Sequence, residues 1–299
     1  MTERITQGML ATNLLADLQN ITDQMSTSQE QLSSGKQILK PSDDPFGTAR
    51  ALAFRDDLAS NQQYQTNINN ATGWMNATDS ALQSIEQLTQ RARELVVQGA
   101  TDTTGADGRT AIAQEIDQII DSIKTTANTQ YAGRYIFAGS MTTTAPYTTG
   151  GADSYNGDTA TLNTEIGAGV QVPMNVTGAS VVGDGSTPGS LLATLRTIEN
   201  DLNSGNTSAL QTTDLQALDT ANDAVTNAQA TVGARSDRLS TALTRLQSIQ
   251  ESTTSLLSDT EDADVSQVMV NLSQEQTVYQ AALKAGADIV QPSLMDFLQ

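Results

Sequence analysis

Residues 11–32 read ATNLLADLQNITDQMSTSQEQL, and their apolar positions decide the fold. Ala11, Leu14, Leu18, Ile21, Met25 and Leu32 recur at spacings of three and four, with Ser28 at the one polar place in the series. On a helix that spacing lays a single narrow apolar seam along one face, suited to packing on a partner helix. The far end of the chain repeats it. Residues 265–289, VSQVMVNLSQEQTVYQAALKAGADI, carry Val265, Val268, Leu272, Tyr279, Ala282 and Ile289, interrupted by Glu275. Three further stripes lie between: Trp74 to Leu95, Ile112 to Ile123, and a long one from Leu218 through Leu246 to Ile249, Thr253 and Leu256. Helices that long would run roughly 45–75 Å at 1.5 Å per residue, so an elongated molecule is expected.

The breaks between stripes are equally legible. Lys40-Pro41-Ser42-Asp43-Asp44-Pro45 ends one helix and opens the next, with Asp44 as N-cap and Pro45 at the first helical position. Thr101 to Gly108 (TDTTGADG) reads as a turn. Asp259 to Asp264 reads as an acidic hinge, and Asp264 with Gln267 has capping-box spacing for the last helix, which Pro292 should end. Asn61 to Asn76 is mostly Gln, Asn and Thr, against helix propensity, yet the flanking stripes require a helical path through it. Residues 140–189 are different: rich in Gly and Thr, without Lys or Arg, with short β-prone runs at Ala168–Val176 and Ala179–Val182. The fold class expected is mainly α: an elongated antiparallel helical bundle or coiled coil formed by the N- and C-terminal segments, with a small inserted β-rich domain. Its parts would be residues 1–44 with 261–299 as a terminal coiled coil, 45–139 with 190–260 as a helical bundle, and 140–189 as the insertion.

Composition narrows the function. Hydrophobic residues are 37% and aromatic residues 4% of the chain, which suits slender Leu, Ile, Val and Ala cores rather than one globule. The net charge of −19 repels phosphate backbones and anionic lipid, so neither nucleic acid nor membrane insertion is expected. Neither Cys nor His occurs, which removes thiolate chemistry, the commonest general base and the usual zinc and transition-metal ligands. Asp43-Asp44 and Asp56-Asp57 are paired acids without apolar residues enough to line a cleft, so helix-start acids on a solvated face is the better reading. Asp259, Glu261, Asp262 and Asp264 fail calcium-loop spacing, with Asp264 where Gly is required and Val270 where a bidentate Glu is required. No phosphate-binding glycine motif is present, and no cofactor and no catalytic residue is expected. The N-terminus lacks the basic and apolar regions of a secretory signal, and no run approaches the ~18 apolar residues of a membrane span.

The terminal seams are the strong feature. A large apolar side chain buried is worth about 1.5–3 kcal/mol, against about 1–2 kcal/mol of backbone entropy per residue ordered. Two helices sharing one seam are marginal by that comparison, and many copies side by side are not.

Several motifs carry a family likeness. Gln31-Leu32-Ser33-Ser34-Gly35-Lys36-Gln37-Ile38 followed by Pro41-Ser42-Asp43-Asp44-Pro45-Phe46-Gly47 resembles the N-terminal region of the bacterial flagellin superfamily. Gln90 to Gln98 (QRARELVVQ) is similar to its next helical motif, and Gly233-Ala234-Arg235 with Arg238-Leu239 to its C-terminal one. Filament flagellins typically show a variant of S-A-K-D-D-A-A-G where this chain has Pro-Ser-Asp-Asp-Pro-Phe-Gly. Tyr135 to Gly139 (YIFAG), Tyr279 to Leu283 (YQAAL) and the tail Gln291 to Leu298 (QPSLMDFL) resemble the hook-associated junction branch instead. That resemblance implies a non-enzymatic structural subunit linking flagellar hook to filament, outside the cell, exported by the flagellar type III system without a cleaved signal. It implies a homo-oligomeric ring or layer, with the other hook-associated junction protein, flagellin and an export chaperone as partners. The assembly interface expected comprises Leu14, Leu18, Ile21, Met25, Leu32, Val265, Val268, Leu272, Tyr279, Leu283, Ile289, Leu294 and Phe297. The alternatives are filament flagellin itself, or a secreted adhesive protein acting through residues 140–189.

Overall fold

The computed structural model describes residues 7–101 and 103–290. Helices dominate it. In order they are α1 (Gln7–Ser34), α2 (Pro45–Gly99), α3 (Ala106–Ala127), the short α4 (Gly178–Val181), α5 (Leu191–Ser204), α6 (Thr207–Ala209) continued by a π-helical turn at Leu210–Asp214, α7 (Leu215–Glu261) and α8 (Val265–Val290). Two antiparallel hairpins interrupt them, β1 (Gln130–Tyr131) with β2 (Arg134–Tyr135), and β3 (Asn163–Gly167) with β4 (Val170–Pro173). Contacts divide the chain into two compact units, one of the residues up to Ser60 with those from Ile249 onward, the other Asn61–Ser248. These divisions fall inside α2 and α7, not at the helix breaks near residues 44 and 261.

The Asn61–Ser248 unit holds the main core. Ile68, Met75, Leu82, Ile85 and Leu95 of α2 pack with Ile112, Ile116, Ile119, Ile120 and Ile123 of α3, Leu195 and Ile198 of α5, and Val225, Val232 and Leu239 of α7. Tyr147, Ile166, Val172, Val181 and Val182 belong to the same cluster, so residues 140–189 share the helices' core. Their β content is one hairpin and an isolated antiparallel bridge between Tyr147 and Tyr155. The β-prone run Ala168–Val176 holds β4 at Val170–Pro173 and opens in the hairpin turn, where Gly169 takes φ +69°, a left-handed conformation that suits glycine. The second expected strand, Ala179–Val182, is instead the helical turn α4, which buries Val181 and Val182.

An ion network ties this segment down. Lys124 of α3 is 0% exposed, and its Nζ meets Asp121 at 2.9 Å, Asp153 at 3.0 Å and the Gly151 carbonyl at 3.1 Å. Arg196 of α5 donates to Asp153 at 2.9 Å, Asp117 at 2.8 Å and Glu199 at 2.7 Å. Burial would push the Asp153 carboxyl up, but hydrogen bonds from Arg196 and Lys124 outweigh it and hold the group below the usual range.

The polar stretch 61–76 is helical throughout, and tertiary contacts explain why it overrides propensity. Asn61 is buried and donates to the Leu246 carbonyl at 2.9 Å, while Ile68, Ala71, Trp74 and Met75 face the core. The long α7 stripe behaves as read from Leu218 to Leu246. Beyond it, Ile249 and Leu256 are 42% and 44% exposed, and the inward positions become Gln250, Thr253, Leu257 and Thr260. A straight helix drifts about 20° per heptad from a 3.5-residue repeat, so four heptads shift the inward face by nearly one residue.

Candidate assembly surface

In the unit that holds both ends, α1 packs against α8. Three contacts fix an antiparallel arrangement. The Ala263 N–H donates to the Gly35 carbonyl at 2.9 Å, Ser28 Oγ donates to Glu275 Oε1 at 3.1 Å, and Gly286 abuts Leu14. A Cβ at residue 286 would lie 2.6 Å from Leu14 Cδ2, so a larger residue there would have to displace the end of the Leu14 side chain. α1 ends at Gly35, at φ +71°.

Caps and a clasp set the geometry at the other end of the pair. Asp44 Oδ1 accepts from the backbone N–H of Phe46 at 3.1 Å and Gly47 at 2.9 Å, so it caps α2 as expected. Asp43 Oδ2 accepts from the Lys40 N–H at 2.8 Å. Asp264 caps α8 through Ser266 and Gln267, although the Gln267 side chain bonds Asn271 rather than reaching back. The Gln37 N–H donates to the Glu261 carbonyl at 2.7 Å, and the Glu261 carboxylate pairs with both Lys36 and Arg55. Burial alone would raise the Glu261 carboxyl, but the bonds from Lys36 and then Arg55 prevail and hold it low. The stretch expected as a hinge from Asp259 is therefore helical through Glu261, and the break is confined to residues 262–264.

The sequence-read positions fall into three groups. Leu14, Leu18, Ile21, Met25 and Leu32 of α1 are half-buried, as are Leu272 and Tyr279 of α8, and Val268 is buried, so these line the α1–α8 seam. Val265 and Leu283 are 44% and 46% exposed and lie off it. Leu294 and Phe297 lie outside the described residues, as does Pro292, and the side chain of Ile289 is likewise not described.

The seam does not exhaust the apolar surface. On α1, Met9, Leu10 and Leu15 are exposed, and on α8 so are Met269, Val270 and Val278. Sequence reasoning passed over these six because they sit off the heptad series; their signal was apolar residues on more than one face. At about 100° per residue, Val265 and Leu283 point the same way and Met269 about 40° from them, while Val270 points away from the seam and Val278 flanks it on the other side. A helix that is apolar on several sides is made to be covered on several sides, and α1 covers one.

Among the described residues no three His, Cys, Asp or Glu converge as metal ligands. No described helix is long and apolar enough to cross a membrane. The exposed apolar residues of α1 and α8 form a surface that can bind other helices.

Comparison with known proteins agrees with this chemistry. Residues 5–142 match the bacterial flagellin N-terminal helical region, and residues 215–298 match the bacterial flagellin C-terminal helical region. The flagellar hook-associated protein 3 of Escherichia coli is 30% identical over 285 residues, covering 87% of this chain and 88% of that protein. The chain belongs to the flagellin superfamily, in its hook-associated protein 3 branch. The fold of the family is also present in solved structures. FlgL from Bacillus cereus superposes with a TM-score of 0.59 at 24% identity, over 69% of this chain and 99% of that one. The flagellar junction protein FlgL of Legionella pneumophila gives 0.58 at 17%, over 71% and 99%. At those identities the likeness speaks for the fold alone.

Proposed function

We propose that this chain is a structural, non-enzymatic subunit of the junction between flagellar hook and filament, held in place by packing of its terminal helices among sister copies. The observation that carries this reading is the apolar surface that α1 and α8 leave uncovered after pairing with each other. Packing several copies around a common axis buries those faces at about 1.5–3 kcal/mol for each large side chain. Leu14, Leu18, Ile21, Met25, Leu32, Val268, Leu272 and Tyr279 then act by building the paired unit, and Val265, Leu283, Leu294 and Phe297 by meeting neighbours. Ile289 belongs with one group or the other.

In this reading residues 1–44 and 261–299 form the assembly core, and 45–139 with 190–260, carrying 140–189, form the body. The neighbours are further copies in a ring, the other hook-associated junction protein on the hook side and flagellin on the filament side. The chain reaches its extracellular place through the flagellar type III apparatus without a cleaved signal, accompanied in the cytosol by an export chaperone. Deletion of the gene followed by electron microscopy tests the junction role. Hooks without filaments, with flagellin shed into the medium, are expected. Normal filaments on the deletion strain would overturn it.

A further inference from the structure

A cleft of about 380 Å3 beside the clasp offers a second, more specific contact. Its floor is apolar, made by Ile38, Leu39 and Leu52, with Leu52 53% exposed. Its rim carries Lys36, Lys40 and Arg55 against Glu261, with Glu30 3.8 Å from Lys40, which leaves one positive charge in surplus. In a chain of net charge −19, a rim with surplus positive charge is a local exception.

Resting on the assembly reading above, we propose that this cleft receives the segment 291–299 of a neighbouring copy. That segment, QPSLMDFLQ, pairs large apolar residues (Leu294, Met295, Phe297, Leu298) with one acid, Asp296, and contains no base. Apolar side chains match the floor, and Asp296 matches the rim. A chain cannot serve its own cleft. Glu261 lines the cleft and α8 begins just beyond it, at Val265. The 26 residues of α8 then carry the chain about 39 Å away. Phe297 follows Val290 by seven residues, which span about 25 Å at full extension, well short of the return. An interaction forbidden within a molecule but available between molecules is heterologous, head to tail, and such contacts propagate a ring or helical layer.

The absence of cysteine makes the test clean. A Leu52→Cys chain and a Phe297→Cys chain, one bearing a small tag, are mixed, assembled on isolated hooks and oxidised. A mixed disulfide of intermediate size, severalfold above either homodimer and absent from unassembled protein, is the expected result. In assembled layers, a chain carrying both substitutions should crosslink between chains and not within one, whereas Ser28→Cys with Glu275→Cys should crosslink within one. Layers that form without the mixed disulfide overturn the cleft assignment and leave the assembly reading standing. Failure of every variant and of the unsubstituted chain to coat the hooks sinks the assembly reading, and this inference with it.

Discussion

Lys124 shows what single residues contribute here. Its ammonium is fully buried and satisfied by two carboxylates and a carbonyl, so it holds residues 151–153 against α3. Stranding a buried charge costs about 3–5 kcal/mol, and because Asp153 keeps Arg196 the lower end of that range applies when Lys124 is truncated. Lys124→Ala is therefore expected to lower the urea midpoint of the Asn61–Ser248 unit by that equivalent. Arg93→Ala, whose partner Asp219 is over half exposed, should move it by less than about 1 kcal/mol. Equal effects of the two substitutions would contradict the assignment. The sequence did not announce Lys124: a lysine among Ile119, Ile120 and Ile123 looks like a solvated end of the stripe until Asp153 is brought to it from a distant loop.

At the scale of elements, Ser28 meets Glu275 in a polar contact within the seam of α1 and α8, and Glu275 Oε2 is buried without a hydrogen bond. A buried, unpaired acceptor costs about 1–3 kcal/mol, and a polar residue in an apolar seam can fix register. Glu275→Leu is expected to raise the thermal midpoint of assembled layers while loosening the register of the pair, read as crosslinks between positions one heptad out of step. A lowered midpoint would mean that Glu275 has a partner outside this chain. Most elements were legible in advance, because Pro45 and the Asp caps act locally and the stripes repeat, although α1 stops at Ser34, where Gly35 turns left-handed, before the Lys40–Pro45 break read as its end. Two were not. The heptad count carried past Leu246 points Ile249 and Leu256 inward, since accumulated helical drift is invisible in any one repeat. Ala179–Val182 resembles a strand because valine suits both states, and only the core beneath α4 decides between them. The six apolar residues off the seam were hidden for a related reason: a heptad search collects one face and discards the others.

For the molecule as a whole, the two compact units differ in what sustains them. The Asn61–Ser248 unit has a multi-helix core, whereas α1 and α8 have mainly each other. Hydrogen exchange on free monomer should therefore show slow exchange across α3, α5 and the core-facing part of α7. It should show fast exchange along α1 and α8, which slows by orders of magnitude on assembly, as expected of a segment whose ordering is coupled to binding. Equal protection of all these helices in the monomer would remove the reason for copies to associate.

Ser28 and Glu275 stand 247 residues apart in sequence, and Gly35 touches Ala263 across nearly as long a span. Joining such remote points in an unfolded chain carries a large loop-closure entropy. Once the intervening residues have folded, each arm experiences the other at an effective concentration set by a short tether. The order of events follows: the body forms first, and the arms zip outward from the clasp. Removing either arm would then leave its counterpart a solitary amphipathic helix, prone to associate with whatever apolar surface lies nearest.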